Sequence, residues 1–135
     1  MKATGSFSPT KWDEKTRVQI SSEKKTTQAS VTLKFTGEIE GEASVEWLMF
    51  YKYSDEKDQH KSSATYVGLI RFEGKVNGKS GSFVMEDRGT FDKGALNAEL
   101  AIFPESGTGE LESITGSAKY TTSEKGITFE LEYEF

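Results

Sequence analysis

The sequence predicts an all-β protein, an eight-stranded antiparallel up-and-down barrel. The dominant period of the apolar pattern is two: residues 29–35 and 127–135 alternate strictly between apolar and polar, as in strands buried on one face. Short, glycine-containing turns join several of these segments. Closure into a barrel removes the exposed edges that an open meander would leave. A two-sheet β-sandwich is the alternative.

Eight segments carry the strand pattern. They cover about residues 1 to 10, 26 to 38, 42 to 53, 63 to 76, 79 to 91, 96 to 103, 114 to 122 and 127 to 135. One short helical turn is expected around Glu110 to Ser113. Because the chain has 135 residues and domains have about 100 to 200, we expect one β-barrel domain over residues 1–135.

The turn between the fourth and fifth segments is the strongest register signal. Asn77-Gly78 suits a two-residue hairpin turn, which needs positive φ at both positions and places Val76 opposite Lys79. Counting back from this turn pairs, on one face, Phe72 with Phe83, Ile70 with Met85, Gly68 with Asp87 and Tyr66 with Gly89.

Three further hairpins have predicted registers. A three-residue loop at 39–41 places Phe35 opposite Val45, Leu33 opposite Trp47, Val31 opposite Met49 and, outside, Lys34 opposite Glu46. A four-residue loop at 123–126 aligns Tyr120 with Phe129, Ala118 with Leu131, Gly116 with Tyr133 and, outside, Lys119 with Glu130. The fifth and sixth segments pair Phe91 with Leu96, Met85 with Ile102 and, outside, Arg88 with Glu99.

Composition excludes several classes of function. Charged residues make up 29% of the chain and the net charge is -5, so we expect no nucleic-acid or membrane partner. The chain has no cysteine and one histidine, His60, which excludes disulfides, thiol nucleophiles and the usual zinc sites. We expect no metal and no cofactor. No apolar run follows the first residues, so a cytoplasmic location is expected.

Asp87 is the candidate catalytic residue. Its register places it on the apolar inner face opposite Gly68, where the missing side chain leaves space. Desolvation there would disfavour the charged carboxylate and suit a general acid or base. The alternative is a position near water, or an aspartate that neighbouring hydroxyls satisfy.

Aromatic and methionine side chains with inward registers are the candidate ligand contacts. Tyrosine hydroxyls in an apolar pocket can orient a small, mostly apolar molecule. The set comprises Trp47, Met49, Tyr51, Tyr66, Met85, Tyr120 and Tyr133, and Tyr53 shares the predicted inward face. The alternative role for most of them is to fill the core of a small barrel.

Outward-facing apolar residues predict a homo-oligomer. They lie on the third to sixth segments, and an apolar outer wall is typically covered by another subunit: Leu48, Phe50, Val67, Leu69, Val84 and Phe103. The charged connection at 54–61, which contains His60, is expected to be a solvated loop, and the alternative role is a lid over one mouth of the barrel.

Five runs, at 41–49, 66–69, 78–84, 89–92 and 106–111, resemble a small bacterial family of unknown function. Its barrel is similar to those of plant allene oxide cyclase and dirigent proteins, in which an apolar cavity folds or orients a reactive small molecule. If the protein is an enzyme, the resemblance implies an isomerase or cyclase without an external cofactor. By analogy with the plant cyclases it also implies a trimer.

Three functional hypotheses follow. The first is a barrel that binds one small apolar molecule. The second is an isomerase or cyclase in which Asp87 or a tyrosine stabilises developing charge. The third is a structural or assembly module with a filled interior.

Overall fold

Antiparallel pairing joins eight strands into a closed ring. The computed structural model describes residues 1–58, 61–123 and 126–135. Its strands are β1 (Lys2–Gln19), β2 (Lys25–Gly37), β3 (Ile39–Tyr53), β4 (Ser63–Val76), β5 (Lys79–Asp92), β6 (Ala95–Ile102), β7 (Thr108–Gly109), β8 (Thr115–Ser123) and β9 (Gly126–Glu134). The ring runs β1-β2-β3-β4-β5-β6-β8-β9 and returns to β1, while β7 pairs with β5. The all-β, antiparallel prediction is confirmed, and these strands form one sheet. Within the described ranges, no helix has the length and apolarity to cross a membrane.

Three of the four predicted registers are confirmed. The β4–β5 hairpin pairs as expected, with φ of 48° at Asn77 and 84° at Gly78. The β8–β9 and β5–β6 registers also agree, and Lys119 forms an ion pair with Glu130 at 3.4 Å. Arg88 lies opposite Glu99, but its ion pair is with Glu86 on its own strand.

The predicted β2–β3 register is wrong by four residues. The chain turns earlier, at Gly37 with φ of 112°, and Ile39 is already buried in β3. The observed pairs are Phe35 with Gly41, Leu33 with Ala43, Val31 with Val45, Ala29 with Trp47 and Lys34 with Glu42. Because an even shift preserves the inward and outward faces, Glu46 still points outward. It accepts hydrogen bonds from Ser30 instead of pairing with Lys34.

Strand β1 is longer than the predicted segment of residues 1 to 10. It pairs with β2 as far as Gln19 opposite Lys25, with register shifts after Pro9 and after Thr16. The extension places residues 11–19 along one end of the ring. The predicted helical turn at 110–113 is instead a series of turns, in which Leu111 N–H donates to Thr108 and Ile114 N–H donates to Leu111.

Aromatic rings fill the other end of the interior. Phe35 packs edge-on against Phe72 and Phe129, with ring centroids 5.5 and 5.1 Å apart, and Phe72 contacts Phe83 at 5.3 Å. Phe7 of β1 reaches Phe35 at 5.2 Å. Four of these five rings are fully buried, and Phe7 is nearly so. This half of the ring is therefore a packed core.

The close approach of β1 to the turn at Gly37 can be tested by substitution. A Cβ at residue 37 would lie 2.8 Å from the Cα of Gly5 and 2.9 Å from the carbonyl oxygen of Thr4, whereas a Cβ at Gly78 would meet nothing within 4 Å. We expect Gly78→Ala to cost about 1 kcal/mol through its left-handed backbone alone, and Gly37→Ala about 3 kcal/mol because strand contact adds to it. Urea denaturation of both variants measures the difference; equal losses would contradict a tight β1–β2 contact at this turn.

Candidate functional site

A cavity of about 390 Å³ occupies the end of the ring opposite the packed phenylalanines. This volume lies within the range of about 300 to 1,000 Å³ that is usual for small-molecule sites. The apolar part of its wall includes Phe7, Leu33, Met49, Phe91, Leu96 and Ile127. The side chains with a polar atom are Trp12, Glu14, Trp47, Tyr51, Tyr66 and Tyr120.

At the inner end of the cavity, Asp87 is fully buried behind the wall residues. Its Oδ2 accepts hydrogen bonds from Nε1 of Trp47 at 2.8 Å and from the hydroxyl of Tyr120 at 2.9 Å. Oδ1 is buried without a hydrogen-bond partner. The space predicted opposite Gly68 is taken by the Trp47 indole, because a Cβ at residue 68 would lie 2.6 Å from its Cδ1. Asp87 therefore reaches the cavity only through its two partners.

Burial controls the charge state of this cluster. It raises the pKa of Asp87 to about 6, against the lowering effect of the hydrogen bonds from Trp47 and Tyr120. Burial also raises the pKa of Tyr66 and of Tyr120 well above the ordinary phenol value. At neutral pH the cluster is thus one carboxylate with two neutral phenols.

A chain of hydrogen bonds links Asp87 to the cavity wall. The hydroxyl oxygens of Tyr66 and Tyr120 are 2.8 Å apart. Tyr120 has a single hydroxyl proton, which it donates to Asp87, so Tyr66 is the donor to Tyr120. The chain therefore runs from Tyr66 through Tyr120 to Asp87, and its outer member lines the cavity.

A second carboxylate, Glu14, lies at the mouth of the cavity. It accepts hydrogen bonds from Trp12 Nε1 at 3.1 Å and from the hydroxyls of Thr27 and Tyr51, each at 2.7 Å. Burial raises the pKa of the Tyr51 hydroxyl, and the hydrogen bond to Glu14 raises it further. The Nζ of Lys25 lies 5.1 Å from the centroid of the Tyr51 ring. The side chain of Trp12 is 49% exposed, so this end of the cavity opens to solvent.

Aromatic rings connect the mouth to the inner cluster. The centroids of Trp12 and Trp47 are 5.6 Å apart, and those of Trp47 and Tyr66 are 5.4 Å apart. Trp12 and Glu14 were not among the predicted site residues because they lie beyond the predicted first strand, which ends near residue 10, whereas β1 extends to Gln19. The alternation of Trp12, Glu14, Thr16 and Val18 was the available signal, but polar residues at two of its positions weakened it.

Five of the seven predicted ligand contacts line the cavity: Trp47, Met49, Tyr51, Tyr66 and Tyr120. Met85 lies outside the wall in the packed core. Tyr133 is also elsewhere, and its hydroxyl accepts a hydrogen bond from Asn77. The inward placement of Tyr53 was wrong: a register shift between Tyr51 and Tyr53 leaves it 38% exposed.

The charged connection after β3 does not contribute to the cavity in its described part, residues 54–58 and 61. Gln59 and His60 lie outside the described residues. Among the residues that the structure describes, no group of three or more His, Cys, Asp or Glu side chains is arranged to hold a metal ion.

These features define an all-β protein whose closed ring of eight antiparallel strands is packed at one end and hollow at the other. The chain belongs to the DUF3224 family, described as proteins of unknown function, whose model matches residues 3–135. It is similar to the crystal structure of a DUF3224 protein of unknown function from Shewanella oneidensis MR-1, with a TM-score of 0.74 and 23% identity. That similarity covers 100% of this chain and 97% of the other. No curated protein matches this chain. Membership of a family of unknown function is confirmed, and the likeness to allene oxide cyclase stays a prediction.

The burial of Asp87 predicts a specific pH dependence. Its pKa is raised from 3.8 to about 6, so between these values the folded protein retains a proton that the unfolded chain has released. The stabilisation is full below about pH 4 and is lost as the pH rises through about 6, by about 3 kcal/mol in total. We expect the free energy of unfolding of the wild type, relative to Asp87→Asn, to fall by that amount between about pH 4 and 8.

Chemical denaturation across this pH range measures the difference. Asp13→Asn, which removes an exposed carboxylate from β1, is the matched control for the loss of one charge. Parallel pH profiles for the wild type and Asp87→Asn would show that residue 87 does not titrate as a buried carboxylate.

Proposed function

We propose that the protein binds one small, mostly apolar molecule inside a barrel of the allene oxide cyclase type. The observation that carries the proposal is the cavity of about 390 Å³, which is walled mainly by aromatic and aliphatic side chains. Burying an apolar ligand there would release water from this surface, at about 25 cal/mol per Å² of apolar area. The polar atoms of the wall then serve to orient the ligand.

The arrangement of the interior favours binding over a purely structural role. A structural module gains most from a ring filled along its whole length, as the Phe35 and Phe72 end is filled. Around Tyr66 and Met49 the side chains leave space instead. A cavity lowers stability, because its lining loses packing contacts. The presence of a cavity despite this cost is more readily explained by a bound ligand than by packing.

Filling the cavity tests this proposal. The neutral dye N-phenyl-1-naphthylamine fluoresces in apolar sites, and we expect saturable, one-to-one binding to the wild type. Leu96 lines the cavity, so Leu96→Trp should weaken binding by about tenfold or more, which corresponds to about 1.4 kcal/mol. Thr128→Trp places the same side chain on the exposed side of β9, outside both the cavity wall and the proposed oligomer face, and serves as the control. Equal dye affinity in both variants would contradict binding in the cavity.

A second candidate function is an isomerase or cyclase that needs no external cofactor. The chain from Tyr66 through Tyr120 to Asp87 favours it, because it joins the cavity wall to a carboxylate whose pKa of about 6 lies close to neutral. In such a reaction Tyr66 would contact the substrate, and Asp87 would act through the two phenols. The cavity would hold the substrate in one conformation.

We also propose that the protein is a homo-oligomer through the outer face of β3 and β4. Four apolar side chains are exposed there, Leu48, Phe50, Val67 and Leu69, and Phe103 is exposed on the chain beyond β6. Val84 contributes little because it is half-buried. Glu46, Glu86 and Arg88 border this face, and the presence of both charge signs suits contact with a second copy of the same surface.

The oligomer is tested by light scattering during size-exclusion chromatography. We expect the wild-type mass to be a multiple of 15.0 kDa, and Leu69→Glu, which places a charge in the apolar face, to shift it towards the monomer. Thr128→Lys adds a charge to the exposed side of β9 and should leave the mass unchanged. A wild-type monomer in dilute solution would overturn the proposal.

A further inference from the structure

The hydrogen-bonding capacity of the cavity wall is one-sided. Among the described residues that line it, five side chains have an N–H or O–H group: Trp12, Trp47, Tyr51, Tyr66 and Tyr120. Each of these groups has a single proton, and each proton is already used inside the protein. The way it is used decides what the wall offers to a ligand.

At the inner end, Asp87 takes up the donors. Trp47 and Tyr120 donate to its Oδ2, and Tyr66 donates to Tyr120. The high pKa of both phenols keeps these protons in place at neutral pH. The Tyr66 oxygen retains lone-pair capacity and has no proton left to donate. As a residue of the cavity wall, Tyr66 can therefore offer a ligand only an acceptor.

At the mouth of the cavity, Glu14 accepts the hydrogen bonds of the nearby donors. Trp12 donates to its Oε1, and Tyr51 and Thr27 donate to its Oε2. A carboxylate has about four lone-pair sites, so at least one remains for a further donor. At the mouth, the described side chains of the wall itself thus offer a partly exposed carboxylate oxygen and no free proton.

We propose that the ligand is a hydrophobic amine: an apolar, flat body carrying a protonated nitrogen with N–H groups. This inference rests on the proposed binding function and deepens it by naming the chemical class. A ligand with N–H donors satisfies the acceptors at Glu14 and Tyr66. An acid or ketone would bring acceptors to a wall that has no side-chain proton to give, and an unmatched buried acceptor is costly.

The aromatic wall supports a cationic ligand independently of the hydrogen bonds. The rings of Trp12, Trp47 and Tyr66 lie in succession between the mouth and the inner end, and ring faces attract cations within about 6 Å. The protein already uses this interaction at the mouth, where the Lys25 ammonium lies over the Tyr51 ring. Lys25 is itself outside the cavity wall, so among the described residues Glu14 is the charged group in the wall, and Asp87 lies behind it.

Four naphthalene compounds that share one apolar body test the class of ligand. They are 1-naphthylmethylamine, 1-naphthalenemethanol, 1-methylnaphthalene and 1-naphthoic acid, titrated into the full chain by calorimetry at about pH 7.5, where the amine is protonated. We expect the amine to bind most tightly, the alcohol next and the acid weakest, with at least about a tenfold difference in Kd between amine and acid.

Two variants assign the preference to named atoms. Glu14→Gln removes the charge at the mouth and adds N–H donors, so it should weaken amine binding by about tenfold while leaving 1-methylnaphthalene within about twofold. Tyr66→Phe removes the inner acceptor. It should also reduce the difference in Kd between 1-naphthylmethylamine and 1-methylnaphthalene. Glu112→Gln, an exposed glutamate outside the cavity wall, is the matched control.

The outcomes separate this inference from the proposed function. Equal binding of all four compounds, or tightest binding of the acid, overturns the amine assignment and leaves the apolar binding site intact. An amine preference that survives both Glu14→Gln and Tyr66→Phe also overturns it. If neither these compounds nor N-phenyl-1-naphthylamine binds, the binding function itself is wrong.

Discussion

Strand β1 closes the ring, because it pairs with β9 through residues 2–5 and with β2 along nearly its whole length. Closure gives each of the eight ring strands a neighbour on both sides over part of its length, and it allows Phe7 to pack against rings from β2, β8 and β9. The same strand then continues past Pro9 and carries Trp12 and Glu14 to the mouth of the cavity. One element therefore both completes the packed core and builds the opening of the candidate site.

Asp87 is the one acidic side chain among the buried residues that the structure describes, and its burial costs free energy of folding. Its carboxylate has two donors on one oxygen and none on the other, and burial raises its pKa to about 6. An apolar residue of similar size would avoid this desolvation penalty. Buried groups with shifted pKa values are concentrated at functional sites, although structural networks also contain them. Here the position of Asp87, one hydrogen bond behind the wall of a cavity, favours the functional explanation.

Most of the fold was predictable where local turn chemistry determines pairing. Asn77-Gly78 allows one hairpin geometry, so the β4–β5 register and the position of Asp87 opposite Gly68 follow from it. The β2–β3 turn was ambiguous because both Gly37 and Gly41 have positive φ, and the alternating pattern accepts either one.

The candidate site was predictable only in part. A register error of an even number of residues leaves each side chain on its predicted face of the sheet. Met49 and Trp47 were therefore correctly placed inside. The partners of Asp87 could not be predicted, since they depend on side-chain directions across β3 and β8. Glu14 was missed because a charged residue on an inner face interrupts the apolar pattern. It is stabilised there by hydroxyls and an indole from three strands, an arrangement that only the folded chain shows.

The binding and isomerase hypotheses place different demands on the same three residues. A binding protein needs Asp87 Oδ2 to stay an acceptor, because this oxygen holds the Tyr120 proton and so keeps Tyr66 an acceptor. An isomerase needs Asp87 to gain and lose a proton, which requires Tyr120 and Tyr66 to reverse their donor roles. For that reversal, Asp87 Oδ2 would have to carry a proton and donate it to Tyr120. The N–H of Trp47 opposes this, because it already donates to the same oxygen. The unpartnered Oδ1 is the easier place for a proton. Protonation there leaves the direction of the chain unchanged, so the geometry favours a fixed acceptor over a proton relay.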